Sequence, residues 1–190
     1  PRRTELEFIV FKDTYEQAWD RGYRELTPPS TSTTSTTPSS APAASSPLLR
    51  RIRNEMAGAG LAVESAKGEC NPGQHEIVFR YDEALVTCDQ HAVYKTGAKE
   101  IAAQEGMALT FMAKFNEREG NSCHIHLSLR STTDPGRSVM AGEDGGEMSP
   151  VMRHFLAGQL AALRDLSLLF APNINSYKRL RPGSFAPTAV

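Results

Sequence analysis

The sequence of 190 residues has few cysteines and no Cys-x-x-Cys pair. Cys70, Cys88 and Cys123 are far apart and odd in number, which is atypical of a disulfide framework or a zinc site. Scattered cysteines are typical of reduced thiols in a cytoplasmic protein. We therefore expect three reduced, buried or half-buried thiols and a cytoplasmic location.

The sequence also lacks a long apolar run and an excess of charge of either sign. Its most apolar stretch, 155–171, contains Gln159, Arg164 and Asp165 and is too short and too charged to span a bilayer. Residues 1–4 lead into a strand-like run and show no apolar signal core. With 21 basic and 22 acidic residues, the net charge is −1. This balance predicts no nucleic-acid partner and no membrane partner.

Helical and strand-like patterns are mixed in the sequence without a regular β-α-β repeat. This mixture favours an α+β fold over a doubly wound sheet, and the length suffices for one domain. Apolar residues at spacings of three and four predict helices, whereas runs rich in β-branched and aromatic residues predict strands. We predict strands over 5–11, 61–66, 75–81, 108–115 and 123–130, and helices over 14–21, 48–59, 83–104 and 151–170.

A low-complexity segment interrupts this pattern at 28–46. Its Ser, Thr, Pro and Ala side chains offer little apolar surface to bury, so the composition predicts a disordered segment. Two origins are open for it. The segment is either an authentic linker or, from about residue 30 to 46, the product of a frameshift, because codons compatible with 31–42 encode a tyrosine-containing segment when they are read one base earlier.

Four glutamates occur in two local pairs. Glu5 and Glu7 alternate along a predicted strand, so both carboxylates point to one of its faces. Glu69 and Glu76 flank an Asn-Pro-Gly turn at 71–73, which can bring them together. Like charges are unfavourable side by side unless something neutralises them. Each pair is therefore either a solvated surface or part of a divalent-cation site.

Two histidines and a hydroxyl alternate along the last predicted strand. His124, His126 and Ser128 share one face, and Ile125 and Leu127 take the face expected to point into the core. Two histidines on one face leave a structural role and a binding site about equally supported. Imidazole suits Zn or Mn, and clustered carboxylates suit Mg, Mn or Ca. Four Glu with one His therefore favour Mg²⁺ or Mn²⁺.

Three cations precede the Pro-Gly turn at 182–183: Lys178, Arg179 and Arg181. Arg offers a planar fork to a carboxylate or phosphate, and Lys offers a point charge. Taken alone, the segment is typical of a solvated basic loop. Together with the acidic residues, it indicates a site for an anionic substrate.

These blocks, in this order, resemble the glutamine synthetase family. They are Glu-x-Glu in a strand, Glu…Pro-Gly-Gln-His-Glu, His-x-His-x-Ser-Leu and Asn-Ser-Tyr-Lys-Arg-x-x-Pro-Gly. The match extends over nearly the whole chain except 28–46, and Pro-Gly-Gln-x-Glu and Ser-Tyr-Lys-Arg are its specific parts. The resemblance implies that 1–190 is an incomplete glutamine synthetase catalytic domain, with an antiparallel sheet and packed helices of the guanidino-kinase-like type.

The resemblance implies an ATP-dependent glutamate–ammonia or glutamate–amine ligase. ATP would phosphorylate the γ-carboxylate of glutamate, and ammonia or a small amine would displace phosphate from the acyl phosphate, with Mg²⁺ or Mn²⁺ stabilising the transferring group. The matching positions imply metal ligands near glutamate (Glu7, Glu69, Glu76), metal ligands near the nucleotide (Glu5, His124), ATP contacts (Glu64, His126, Ser128) and glutamate contacts (Gly120 and the catalytic Arg179).

Two positions depart from the pattern of true glutamine synthetases. Glu119 stands where they have Asn, and Phe185 stands where they have the Glu that helps to deprotonate ammonium. Replacement of that carboxylate by an apolar ring implies an acceptor larger than ammonia. Such acceptors are used by the γ-glutamyl-polyamine and γ-glutamyl-ethanolamide synthetase relatives.

The resemblance also implies that the sequence is a fragment. Family members carry an N-terminal β-grasp domain, continue past the Pro-Gly turn and assemble into double-ringed homo-oligomers, whereas this sequence starts at Pro1 without Met and ends at Val190. We expect the β-grasp domain and one metal ligand to be missing. The alternative function is therefore an inactive fragment or pseudoenzyme that retains partial metal or nucleotide binding. A carboxylate-bridged metallohydrolase is disfavoured, because it would leave Ser-Tyr-Lys-Arg unexplained.

Overall fold

The structure, a computed structural model, describes residues 2–29, 46–118, 120–142, 146–184 and 186. Helices and strands alternate irregularly along the chain, as the sequence predicts. The elements are β1 (Arg2–Phe11), α1 (Tyr15–Asp20), α2 (Ser46–Gly58), β2 (Val63–Gly68), β3 (Gln74–Phe79), α3 (Ala84–Gln104), β4 (Ala108–Thr110), β5 (Cys123–Leu127), α4 (Pro150–Phe170) and α5 (Ile174–Tyr177).

The five strands form one antiparallel sheet around β1. The order is β2-β3-β1-β4, and β5 pairs with the first half of β1 on the side where β4 pairs with its second half. Every pairing is antiparallel. The α+β class and the antiparallel sheet predicted from the sequence are therefore confirmed.

Strand alternation assigns opposite roles to the two faces of the sheet. Leu6, Phe8 and Val10 of β1 are buried in one apolar cluster with Ile77 and Phe79 of β3. The same cluster contains residues of α2 and α3, which cover this face. Because side chains alternate along a strand, the glutamates of β1 point away from that core. The helices contribute eight residues to this core: Leu48, Leu49, Ile52 and Met56 from α2, and Tyr94, Ala98, Ile101 and Ala102 from α3.

The later part of the described chain is less buried than the sequence pattern predicts. Ile125 and Leu127, predicted to enter the core, are 49% and 39% exposed, so that prediction is wrong. Helix α4 has a strongly apolar stripe and no buried residue. The predicted strand 108–115 is regular only over 108–110. β5 pairs with residues 2–6 of β1, of which only Leu6 belongs to the core cluster. For β5 and α4 alike, periodicity predicts an apolar face without specifying what covers it.

Cys70, Cys88 and Cys123 form no disulfide, as predicted, but all three residues are exposed rather than buried. In the low-complexity segment 28–46, Pro28 and Pro29 are described and Pro29 is buried, whereas 30–45 lie outside the described residues. Within the described ranges, no helix combines the length and apolar character needed to cross a membrane.

Candidate functional site

Three carboxylates meet on the face of the sheet opposite the core. Glu7 of β1 lies directly across from Glu76 of β3 in the strand register. Glu69 lies just before the turn into β3, and one oxygen of each of the three carboxylates lies within 4.8 Å of the other two. Glu7 and Glu76 are buried and Glu69 is half-buried. Among the described residues, this is the one His, Cys, Asp and Glu group with the spacing of a metal site.

The turn at 71–73 brings Glu69 to the other two carboxylates. Its ends are closed by hydrogen bonds from Glu69 N to Gln74 O (2.9 Å) and from Gln74 N to Asn71 O (2.8 Å). Gly73 has a φ of +74°, and a Cβ there would lie 2.7 Å from Val10 O. Only glycine combines that conformation with so close an approach to β1. The Asn-Pro-Gly signal in the sequence therefore has a steric cause.

Gln74 and Ser122 hold the Glu7 carboxylate in place. Gln74 Nε2 donates to Glu7 Oε2 (3.0 Å), and the Ser122 backbone N–H donates to the same oxygen (2.8 Å). The buried Gln74 amide also contacts Gly120 O (3.1 Å) and Asn121 Oδ1 (3.0 Å). Sequence reasoning missed these three supporting residues. Gln74 stands inside the quoted Pro-Gly-Gln block, whereas nothing in the sequence distinguishes Asn121 or Ser122.

Lys67 of β2 supplies positive charge to the cluster and was also missed. Its Nζ lies 3.1 Å from Glu69 Oε1 and 3.3 Å from Glu76 Oε1. Partial burial lowers the pKa of Lys67, but the two carboxylates outweigh it and raise the pKa above its usual value. Burial raises the pKa of Glu76, against the opposing effect of Lys67, and the neighbouring Glu5 and Glu69 raise it further. The carboxylates therefore repel one another, and an added cation would relieve that repulsion.

A second polar group lies at the start of β1. Glu5 contacts Arg3 and lies 3.3 Å from His126 Nε2, while Arg3 Nη1 donates to Glu64 Oε2 (2.9 Å). Burial by itself would raise the pKa of Glu5, but the His126 hydrogen bond and the Arg3 charge outweigh it, and the pKa is lowered. Arg3 thus links two carboxylates that the sequence had assigned to metal and ATP.

Neither of the other two residues predicted on this face of β5, His124 and Ser128, is the one that contacts the Glu5 carboxylate. His124 faces Glu5 in the register of β1 and β5, but its Nε2 lies 3.2 Å from Ser122 Oγ. The histidine that contacts the Glu5 carboxylate is therefore His126. Ser128 lies just after β5 and is half-buried.

A basic cavity of about 440 Å³ contains the remaining predicted residues, Arg179 and Gly120. A Cβ on Gly120 would lie 2.2 Å from Ala113 O and 2.9 Å from Arg179 Cδ, so the arginine packs directly on this glycine. Burial lowers the pKa of Arg179, and the nearby Glu7 charge acts in the opposite direction. Because the Gln74 amide contacts both Glu7 and Gly120, the cavity lies beside the carboxylate cluster. Its charged lining is Lys114, Arg118, Arg179 and Arg181 against Glu117.

Phe185 and Glu119, the two departures noted in the sequence, lie outside the described residues.

Comparison with known proteins identifies the family. The sequence model described as glutamine synthetase, catalytic domain, matches residues 3–190. The chain is 74% identical over 187 residues to gamma-glutamylethanolamide synthetase GlnA4 of Streptomyces coelicolor, a match that covers 98% of this chain and 39% of the relative. It is 44% identical over 144 residues to glutamate–isopropylamine ligase of a Pseudomonas species, covering 75% of this chain and 31% of the relative.

More distant relatives and solved structures agree. Glutamine synthetase of Pyrococcus woesei is 39% identical over 144 residues, covering 75% of this chain and 32% of the relative. A solved structure described as apo GmaS without ligand superposes with a TM-score of 0.74 at 28% identity, covering 95% of this chain and 41% of the other. The chain thus spans about two fifths or less of the length of these relatives. From the family match over residues 3–190, the chain belongs to the glutamine synthetase catalytic-domain family.

Proposed function

We propose that these residues form part of an ATP-dependent ligase that joins an amine to the γ-carboxylate of glutamate. The observation that carries the proposal is the position of the Glu7–Glu69–Glu76 cluster beside the basic cavity that contains Arg179. An enzyme that activates a carboxylate with ATP must hold a metal–phosphate group next to an anionic substrate. Membership of the glutamine synthetase catalytic-domain family also supports this reaction.

The cluster fits Mg²⁺ or Mn²⁺, because both ions prefer carboxylate oxygens. Glu7, Glu69 and Glu76 would hold one ion, and Glu5 with His124 would contribute to a second near the nucleotide. When bound, such ions stabilise negative charge on a transferring phosphoryl group. The electrostatic repulsion among the carboxylates, which Lys67 relieves in part, supports a cation at this position.

The protein's own side chains would bind and orient the substrates. Arg179, with Gly120 packed beneath it, would hold a carboxylate of glutamate, because the guanidinium presents a planar fork to it. Glu64, His126 and Ser128 would contact ATP, and Arg3 joins Glu64 to the nucleotide-side carboxylate Glu5. The hydrogen bonds of Gln74 and Ser122 would keep Glu7 oriented whether or not substrate is present.

We further propose that the acceptor is an organic amine larger than ammonia. Two relatives are named for the ethanolamide and for isopropylamine. The sequence has Phe185 where ammonia-using members have a carboxylate, which also supports this choice. The enzyme would work as a homo-oligomer in the cytoplasm, without nucleic-acid or membrane partners.

The test is phosphate release by the protein purified at the length its gene encodes, with ATP, glutamate and Mg²⁺ or Mn²⁺. Ammonia, ethanolamine, isopropylamine and a polyamine are compared as acceptors. We expect release that requires both glutamate and an organic amine. Glu69→Gln should lower the rate at least tenfold, as loss of metal support does elsewhere. Glu100→Gln, an exposed carboxylate on α3, should leave it unchanged.

Three outcomes would contradict the proposal in different ways. Saturating turnover with ammonia and no gain from any organic amine would refute the choice of acceptor. No glutamate-dependent release with any amine, with Mn²⁺ binding retained, would favour an inactive relative that binds metal. Full activity of Glu69→Gln would refute the metal assignment.

A further inference from the structure

Arg181 connects two segments of the chain that form walls of the basic cavity. Its Nη1 donates to Glu117 Oε2 (3.1 Å) and its Nη2 donates to Glu117 O (2.9 Å). The guanidinium therefore grips both the side chain and the backbone of one residue. Arg181 is one of three cations in the basic segment, and the family resemblance gives it no role.

The turn that carries Arg181 also carries Arg179. Ser184 Oγ lies 2.7 Å from Arg179 O and 2.8 Å from Arg181 O, and Ser184 N donates to Arg181 O (3.2 Å). Gly183 provides the positive φ, +78°, that this compact turn requires. Because these bonds join the two arginines through one serine, a displacement of Arg181 would be passed to Arg179.

The loop 114–118, which forms the opposite wall of the cavity, is held by several hydrogen bonds. The Asn175 amide exchanges two hydrogen bonds with the Lys114 backbone, at 2.7 and 2.8 Å. Asn116 Oδ1 accepts from Asn71 Nδ2 (2.9 Å) and from Arg118 N (3.0 Å). The loop 114–118 is thereby attached to the turn at 71–73, and Arg181 binds Glu117 at the exposed tip of this loop.

We propose that the Arg181–Glu117 pair is a latch that keeps the walls of the cavity together and positions Arg179 for the acidic substrate. The proposal rests on the function proposed above, and it assigns Arg181 as a positioning residue. The Glu117 side chain is 91% exposed and that of Arg181 is 48% exposed. Exposed pairs of this kind contribute little to global stability. The latch therefore acts on the cavity and not on the fold.

Hydrogen exchange of backbone amides, measured without substrate, tests the latch directly. Arg181→Gln should speed exchange in 114–118 and 179–184, because it removes both bonds to Glu117. Glu117→Gln keeps the bond to the carbonyl and should have a smaller effect. The double variant should match Arg181→Gln alone, because the two changes remove one interaction. Arg164→Gln is the matched control: it removes an exposed arginine of α4, outside both segments, and should leave exchange there unchanged.

Kinetics of the gene-length protein then test positioning. Arg181→Gln should raise the KM for glutamate about two- to fivefold, the range expected for an exposed ion pair. The kcat, the KM for ATP and the melting temperature should stay unchanged, and Arg164→Gln should behave as wild type. In 0.5 M salt the Debye length is roughly 4 Å, so the KM of the wild type for glutamate should approach that of Arg181→Gln.

The outcomes separate the latch from the proposed function. Unchanged exchange in Arg181→Gln, or additive effects in the double variant, would overturn the latch even if the enzyme proves inactive. Faster exchange with an unchanged KM for glutamate in an active enzyme would overturn the positioning of Arg179. An inactive protein with the predicted exchange pattern would support the latch and count against the proposed function alone.

Discussion

At the scale of single residues, one lysine partly neutralises the negative charge of the cluster of Glu7, Glu69 and Glu76. Lys67 lies within 3.3 Å of two of the carboxylates. A divalent cation bound there would interact unfavourably with the ammonium group at that distance. Lys67 is therefore expected to stabilise the metal-free protein and to weaken metal binding.

Replacement of this lysine gives the first prediction. Lys67→Met should tighten Mn²⁺ binding roughly tenfold, because it removes a positive charge beside the site while the partly exposed position screens part of the effect. Isothermal titration with MnCl₂ measures the change. Lys12→Met, which removes an exposed lysine directly after the end of β1, is the control and should not alter binding. Weaker Mn²⁺ binding in Lys67→Met would show that the lysine supports the site.

His75 gives a prediction for the pH dependence of stability. It is fully buried against Phe8, with ring centroids 5.9 Å apart, and burial lowers its pKa to about 4. An unfolded histidine has a pKa of about 6.5, so the unfolded chain takes up a proton first as pH falls. The free energy of unfolding should therefore decrease between about pH 6.5 and pH 4, by about 3 kcal/mol from this residue.

Urea unfolding at pH 7 and pH 4.5 with a metal chelator tests this. In His75→Leu the group no longer titrates, so the loss of stability between the two pH values should shrink by about 2 to 3 kcal/mol. The carboxylates titrate in both proteins and cancel in the comparison. An identical loss in the variant and the wild type would refute the assignment to His75.

At the scale of secondary-structure elements, the hairpin from β2 to β3 determines the site. Its turn crosses β1 so closely that Gly73 lies against Val10 O, Pro28 and Pro29. The same turn presents Glu69 on one side and Asn71, which binds Asn116, on the other. The hairpin therefore couples the packing of β1 to the geometry of the carboxylates.

Two glycine substitutions separate backbone strain from steric overlap. Gly60→Ala, with a φ of +87° and open space around its Cβ, should cost about 1 to 2 kcal/mol from strain alone. Gly73→Ala has similar strain, and its Cβ would also overlap a backbone oxygen, so it should cost about 3 kcal/mol or more. Gly73→Ala should also weaken Mn²⁺ binding, whereas Gly60→Ala should not. Equal costs and equal metal affinities would contradict the steric account.

At the scale of the whole molecule, core and site occupy opposite faces of one sheet. Helices α2 and α3 cover the apolar face, while the carboxylates and the basic cavity use the other. The proposed metal ligands come from β1, from the turn before β3 and from β3. A bound ion would tie these elements together and should stabilise the folded state by mass action.

Metal ions should therefore raise the melting temperature. At a free concentration of about 100 times Kd, Mn²⁺ should add about 2.7 kcal/mol, which is roughly 5–10 °C for a chain of this size. Differential scanning calorimetry with and without MnCl₂ measures the shift. Glu69→Gln should lose most of it and Glu100→Gln should keep it. A full shift in Glu69→Gln would place the ion elsewhere.

Much of the fold could be predicted because the relevant patterns are local. The helix 150–170 follows from apolar spacing, and the predicted ends of this helix and of the helix 84–104 are within one residue of the observed ones. The antiparallel α+β class follows from the mixed pattern and the family resemblance. The exposure of β5 and α4 was not predictable, because an apolar stripe indicates which face of an element is apolar but not which element covers it.

The sequence by itself determined the candidate residues for the chemistry: the glutamate pairs, the histidines of β5 and the basic segment before the Pro-Gly turn. Only the tertiary structure decided how they combine. The pairing of β1 with β3 brings Glu7 to Glu76 and leaves Glu5 with Arg3 and His126. The pairing of β2 with β3 adds the Lys67–Glu76 contact, and the packing of two loops adds the Arg181–Glu117 contact. The physical reason is that Glu7–Glu76, Glu5–His126 and Arg181–Glu117 join residues far apart in the chain, so strand register and loop packing determine which of them meet.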